Sequence, residues 1–149
     1  MSIAPLLTER GIVRIGKERK IERWQRLAQA ATKQCGRSRV PQIEAPRSLP
    51  ELLTDLTATC DMVLLATPGE SASAFAENMA AGTGTSIGLL VGPEGGFTSA
   101  EVAGAREAGA VPFAWGERVL RADTASIVLA ALVLHTAEGV LRKDGAQFD

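Results

Sequence analysis

Residues Ser86-Ile-Gly-Leu-Leu-Val-Gly-Pro-Glu-Gly-Gly-Phe97 decide the fold class. Ser86–Val91 is a short apolar run of the kind that forms a buried strand, and it passes directly into a glycine-rich loop. Thr98 and Glu101 stand at capping-box spacing, so a helix starts at once. Val102 and Ala105 give that helix an inward face, and Gly109 closes it. A strand that runs through glycines into a helix is the repeating unit of an α/β domain with a mainly parallel sheet.

The flanking segments fit the same unit. Upstream, Cys60–Ala66 reads as a buried strand ending at Thr67-Pro-Gly, and Ser71–Ala81 as a weaker helix. Downstream, Ala110–Trp115 is a strand, Gly116–Arg121 a loop, and Ala122–Gly139 a last helix. Nearer the start, Gly11–Ile15 is β-branched enough for a strand. From Glu18 to Gln34 the residues Ile21, Trp24, Leu27, Ala28 and Ala31 recur at helical spacing, and Gly36 marks the stop. Val40–Ile43 reads as a short edge strand, because Pro41 cannot donate to a ladder. Ser48 is a good N-cap, with Pro50 and Glu51 in the first turn of a helix reaching Thr57. The last helix is apolar almost all round from Ile127 to Leu134, so it needs cover on both sides. A homodimer is the expected source of the second cover.

The chain of 149 residues is 46% apolar and 22% charged, which suits one domain with a sizeable core and excludes a disordered chain. No apolar run approaches the roughly 20 residues of a membrane span. Residues 1–20 carry charges and no apolar stretch, so a cytoplasmic, reduced protein is expected. Cys35, Cys60 and His135 form no zinc-ligand pattern, and no metal is expected. Cys35 reads as a small buried residue and His135 as a packed or interface histidine. The net charge of −1 conceals a partition. Residues 9–47 hold eleven Lys/Arg against four acids, and the remainder holds five against thirteen. A basic face for an anionic polymer and an ordinary solvated helix both fit that asymmetry.

Ligands in open α/β sheets sit beyond the carboxyl ends of the strands. Three loops leave such ends: Thr67–Glu70, Gly92–Phe97 and Gly116–Asp123. In the second, Gly92, Gly95 and Gly96 lack a Cβ, so a ligand can approach the main chain closely. Glu94 stands where a dinucleotide fingerprint needs glycine, and no Gly-Lys-Ser/Thr follows. A carboxylate in the loop suits a neutral or cationic ligand rather than phosphate. A tight strand-to-helix turn with no ligand is the plainer alternative.

Leu89-Leu-Val-Gly-Pro-Glu-Gly-Gly-Phe97 with Glu101, and Trp115-Gly-Glu-Arg-Val-Leu-Arg-Ala-Asp-Thr-Ala125, resemble two signature segments of one family. That family is the 16S ribosomal RNA uridine-N3 methyltransferases of the SPOUT superfamily. Trp24-Gln-Arg-Leu-Ala28 with Gln34-Cys-Gly-Arg-Ser-Arg-Val-Pro41 resembles a third. The resemblance implies a trefoil knot at the C-terminal end of the sheet and a homodimer through the last helix. It also implies S-adenosylmethionine as cofactor, held by Leu65, Ala66, Thr67, Gly92, Pro93, Glu94, Gly95, Gly96, Trp115, Gly116, Val119 and Leu120. The implied partner is 16S rRNA or the small ribosomal subunit. Arg10, Arg19, Lys20, Arg23, Arg26, Arg37, Arg39 and Arg118 are the candidate RNA contacts.

The catalytic candidates are Arg121, Glu94 and Asp123. Arg121 either stabilises negative charge developing on the uracil carbonyls or pairs with Asp123 or Glu94 to shape the loop. Glu94 either neutralises the cationic cofactor or orients its loop, and Arg118 either binds phosphate or braces the knot. The sequence departs from the family where Asp123 replaces the common Glu and Trp115 a usual Leu, which leaves the general base open. By the same resemblance, residues 1–149 are a methyltransferase domain lacking the PUA-like RNA-binding domain that usually precedes it. A non-catalytic knotted dimer binding RNA or protein, and a related tRNA methyltransferase, are the alternatives.

Overall fold

The computed structural model describes residues 1–11, 17–70, 86–114 and 118–143. Within them the chain forms β1 (Ser2–Ile3), β2 (Leu6–Leu7), α1 (Lys17–Cys35), β3 (Gln42–Ile43), β4 (Arg47–Ser48) and α2 (Leu49–Thr59). It continues with β5 (Met62–Ala66), β6 (Ile87–Val91), α3 (Ser99–Glu107), β7 (Val111–Phe113) and α4 (Ala122–Lys143). The expected strand at Gly11–Ile15 and helix at Ser71–Ala81 fall largely or wholly outside the described residues.

Every strand pairing among the described residues is parallel, in line with the mainly parallel sheet expected. β5 is central in a three-stranded sheet of order β6-β5-β7, with Leu64 opposite both Leu89 and Val111. Pro112 is tolerated because β7 is an edge strand of this sheet. Two further pairs, β1 with β3 and β2 with β4, bring the first residues beside the entry to α2. The edge strand expected at Val40–Ile43 contracts to Gln42–Ile43, since Pro41 can only precede the ladder. β1, β2 and β4 have no counterpart in the sequence reading, for two residues cannot display a period.

Side chains alternate across β5 and divide the core in two. Val63 and Leu65 pack with Leu49, Leu52 and Leu53 of α2, with Leu90 and Phe97, and with Ala105 of α3. Leu64 points the other way and packs with Phe113 and with Leu129 and Val133 of α4. The sheet is therefore covered on both faces by helices. The outer side of α4 is open to solvent among the described residues: Ile127 is 73% exposed and Leu134 40%. His135 is likewise exposed. No helix among the described residues is long and apolar enough to cross a membrane.

Two sequence expectations need correction here. The inward face of α1 runs through Ile21, Trp24, Ala28 and Thr32, whereas Leu27 is 56% exposed and Ala31 is exposed. Trp24, Ala28 and Thr32 follow i,i+4 spacing, and the Thr32 hydroxyl donates to the Ala28 carbonyl at 2.7 Å, so a polar residue completes the stripe. Cys35 is exposed, because it ends α1 on the solvent side; its thiol donates to the Thr32 carbonyl.

The Glu51 carboxylate at the start of α2 accepts from the Ser48 N–H at 2.9 Å and from its hydroxyl at 2.8 Å. Those two bonds hold its pKa below the ordinary 4.5. A depressed folded-state pKa adds stability above the ordinary value that is lost as pH falls through it. The Tm of Glu51→Gln is thus expected to fall less steeply than wild type on acidification below about pH 4.5. Parallel melting curves across that range would refute this.

Candidate active site

The carboxyl ends of β5, β6 and β7 open into one cleft, the place where ligands bind in open α/β sheets. Ala66, Thr67, Pro68 and Gly69 form the first wall, and Val91 to Glu94 with Gly96 the second. Phe113, Ala114, Arg118, Val119 and Leu120 form the third, and Ala122, Ala125 and Leu129 of α4 close the floor. The walls are bound to one another: the Thr67 N–H donates to the Phe113 carbonyl at 2.8 Å.

The second wall is a tight turn. The Gly96 N–H donates to the Pro93 carbonyl at 2.8 Å, and Gly96 has φ +66, which L side chains rarely adopt. Thr98 then starts α3, its hydroxyl accepting from the Glu101 N–H while the Glu101 carboxylate accepts from the Thr98 N–H at 2.8 Å. Glu94 is exposed at the tip. The space left by a missing Cβ is not always for a ligand. At Gly92 it is taken by the Phe97 ring, 3.1 Å from where a Cβ would stand, and at Gly95 by the stem of Arg10. Gly96 alone of the three has open space.

The third wall leads into α4, whose first helical bond runs from the Ala125 N–H to the Arg121 carbonyl at 2.7 Å. The Asp123 carboxylate accepts from the Thr124 N–H at 2.7 Å and from its hydroxyl at 3.2 Å. These bonds, with the charge of Arg121, hold the Asp123 pKa below its ordinary value. These bonds favour the carboxylate form of Asp123 over the acid. Arg121 is exposed and forms no ion pair among the described residues.

Of the residues expected to hold a cofactor, Ala66, Thr67, Gly92, Pro93, Glu94, Gly96, Val119 and Leu120 line the cleft. Leu65 does not: its side chain is fully buried in the core beneath, since alternation along β5 turns it toward α2. Gly95 faces Arg10 instead. Trp115 and Gly116 lie outside the described residues. Sequence reasoning missed Val91, Phe113, Ala114 and the α4 floor. The i,i+4 spacing of Ala125 and Leu129 directly behind the third loop was the available signal.

Lys20, Arg23, Arg26, Arg37 and Arg39 are exposed and line no part of the cleft, and Arg118 stands at its rim. The side chain of Arg19 is outside the described residues. Arg10 departs from the RNA reading. Its Nη1 donates to the Gly95 carbonyl at 2.9 Å and more weakly to that of Phe97 at 3.5 Å, so the guanidinium is turned to the loop. A cation is visible in sequence; carbonyl partners 85 and 87 positions away are not.

An open parallel sheet with a cleft built by its strand-end loops defines an α/β domain for small-molecule binding. The chain belongs to the RNA methyltransferase domain family, whose model matches residues 1–134. It is 34% identical over 134 residues to ribosomal RNA small subunit methyltransferase E of Synechocystis sp., covering 87% of this chain and 43% of that protein. With the protein of that name from Bacillus subtilis it shares 29% identity over 147 residues, covering 94% and 57%. Among solved structures, it resembles a putative methyltransferase of Legionella pneumophila in complex with the bound cofactor SAM. The TM-score is 0.77 and the identity 29%, over 88% of this chain and 53% of that one. The Neisseria gonorrhoeae ribosomal RNA small subunit methyltransferase E bound to S-adenosyl methionine gives 0.75 and 30%, over 88% and 53%. The chain spans about half the length of the curated relatives it matches.

Proposed function

We propose that this domain binds S-adenosylmethionine in the strand-end cleft and methylates N3 of a uridine in 16S rRNA of the small ribosomal subunit. One observation carries the reading: the fold that forms the cleft is shared, at a TM-score of 0.77, with a methyltransferase bound to that cofactor. Residues 1–149 are the methyltransferase domain in this proposal, and a trefoil knot of the three strand-end loops belongs to it.

The residues present fit the cofactor. Val91, Leu120, Ala125 and Leu129 give apolar walls for a flat heterocycle, and the open main chain at Gly96 lets its edge come close. Glu94 is the carboxylate lining the cleft and suits the positive charges of a sulfonium and an ammonium. When bound, the cofactor supplies an electrophilic methyl group. The chain must hold uridine N3 in line with it and favour loss of the N3 proton. Arg121, free of ion pairs among the described residues beside the third wall, stabilises the charge spreading onto the uracil carbonyls. The N3 proton passes to water. Lys20, Arg23, Arg26, Arg37 and Arg39 hold rRNA phosphates without reading sequence.

Calorimetric titration with S-adenosylmethionine tests the first half, and absence of binding at millimolar cofactor rejects it. Methyl transfer to 30S subunits, compared with free tRNA, tests the substrate. The proposal includes a homodimer across α4, supported by the uncovered Ile127 and Leu134. Ile127→Glu is expected to sediment as a monomer with little change in Tm, because Ile127 is outside the core. A wild-type chain that sediments as a monomer at micromolar concentration would remove the dimer.

A further inference from the structure

We propose that Arg10 is a positioning residue for the cofactor: from outside the cleft it fixes the Gly92–Phe97 turn in its binding shape. The inference rests on the cleft's being the S-adenosylmethionine site. Three observations converge on it. The Arg10 guanidinium donates to the Gly95 carbonyl at 2.9 Å and the Phe97 carbonyl at 3.5 Å, and none of these three residues lines the cleft. Its aliphatic stem lies on Gly95, where an added Cβ would stand 3.2 Å from Arg10 Cβ and 3.5 Å from Cδ. The neighbouring Glu9 N–H donates to Glu101 Oε1 at 3.0 Å, while the other oxygen of that carboxylate holds the Thr98 N–H. Residues 9 and 10 thus pin the turn at Gly95 and the helix start just beyond it.

The turn needs an external anchor. Within the turn, the Gly96 N–H donates to the Pro93 carbonyl. The peptide between Gly95 and Gly96 is held at both ends, its N–H by Pro93 and its carbonyl by Arg10, and the flanking glycines give little steric resistance to rotation once the second hold is lost. A rotated Gly95 carbonyl would change how Glu94 and the main chain at Gly96 face the cleft. A charge-assisted bond from Arg10 opposes that rotation and lowers the ordering cost of binding. Arg10 is exposed and has no ion pair among the described residues, so its charge is not neutralised by a carboxylate there.

The test uses Arg10→Met, which keeps a stem over Gly95 and removes the donor, beside Arg10→Ala and Arg10→Lys. Calorimetry is expected to show S-adenosylmethionine affinity reduced about tenfold in both Arg10→Met and Arg10→Ala, and partly recovered in Arg10→Lys. Hydrogen exchange of the cofactor-free chain should be faster at the Gly96 amide in Arg10→Met, with Tm near wild type. A purely structural role would lower Tm and leave affinity below the melt unchanged. Arg10→Met that binds cofactor as wild type does overturns the inference, as does a change confined to RNA affinity. Failure of the unmodified chain to bind cofactor overturns the cleft assignment itself, and is thereby distinguishable.

Discussion

Arg121→Ala is expected to lower methyl transfer to 30S subunits about 100-fold while leaving S-adenosylmethionine affinity within about twofold of wild type. The separation follows from where Arg121 stands. Leu120 and Ala122 line the cleft on either side of it, but Arg121 does not, so truncation removes no cofactor wall. Its main-chain carbonyl receives the first helical bond of α4, a role alanine keeps. The side chain is exposed and forms no ion pair among the described residues, so its loss strands no buried charge. On the proposed reading, what is lost is the positive charge that meets the uracil carbonyls, where negative charge develops as N3 gives up its proton. An interaction made mainly in the transition state lowers kcat and kcat/KM together. If Arg121 instead serves only to hold Asp123, the variant will melt earlier and turn over normally. Arg121→Lys should recover part of the rate, because a point charge replaces a planar fork.

The sequence made the supports of the site legible and left its inner surface less so. The strand at Met62–Ala66, the strand at Ile87–Val91 and the capping box at Thr98 and Glu101 all declared themselves through local pattern. Each depends on neighbours within a few residues. Leu65 illustrates the limit: it lies one residue from Ala66, yet alternation sends its side chain into the core and leaves Ala66 in the cleft. Arg10 illustrates it differently. Charge counting placed it with Arg23 and Arg26, since it carries the same group; its partners come from a loop 85 and 87 positions away. The two-residue strands β1 and β2 have no period of their own. The second core, around Phe113 and α4, follows from tertiary packing across β5 and not from any one segment.

The charge partition acquires a spatial meaning in the same way. The exposed cations on α1 and just after it are separate from the cleft lining, whose carboxylate is Glu94. An anionic polymer and a cationic small molecule can then be held without competing for the same groups. Arg118 is the cation of the cleft lining among the described residues.

Phe113→Ala should be the most destabilising single change in the described core. Phe113 is 1% exposed and packs with Leu64, Leu129 and Val133, joining the sheet to α4. Truncating a buried Phe costs about 3–5 kcal/mol, against a total of about 5–15 kcal/mol for a typical domain. At this size the expected fall in Tm is on the order of 10 °C. Phe113 also borders the cleft, and its carbonyl anchors the Thr67 N–H, so the loss should extend to the site. Phe113→Leu separates the two effects, since it keeps an apolar side chain and most of the volume and should cost less than about 1.5 kcal/mol. If β7 matters to the cleft only through the core, Phe113→Leu will hold S-adenosylmethionine almost as wild type does. If the flat ring is itself a cofactor wall, affinity will fall in Phe113→Leu while the urea midpoint scarcely moves. Normal melting by Phe113→Ala would contradict the packing that makes α4 the floor of the site.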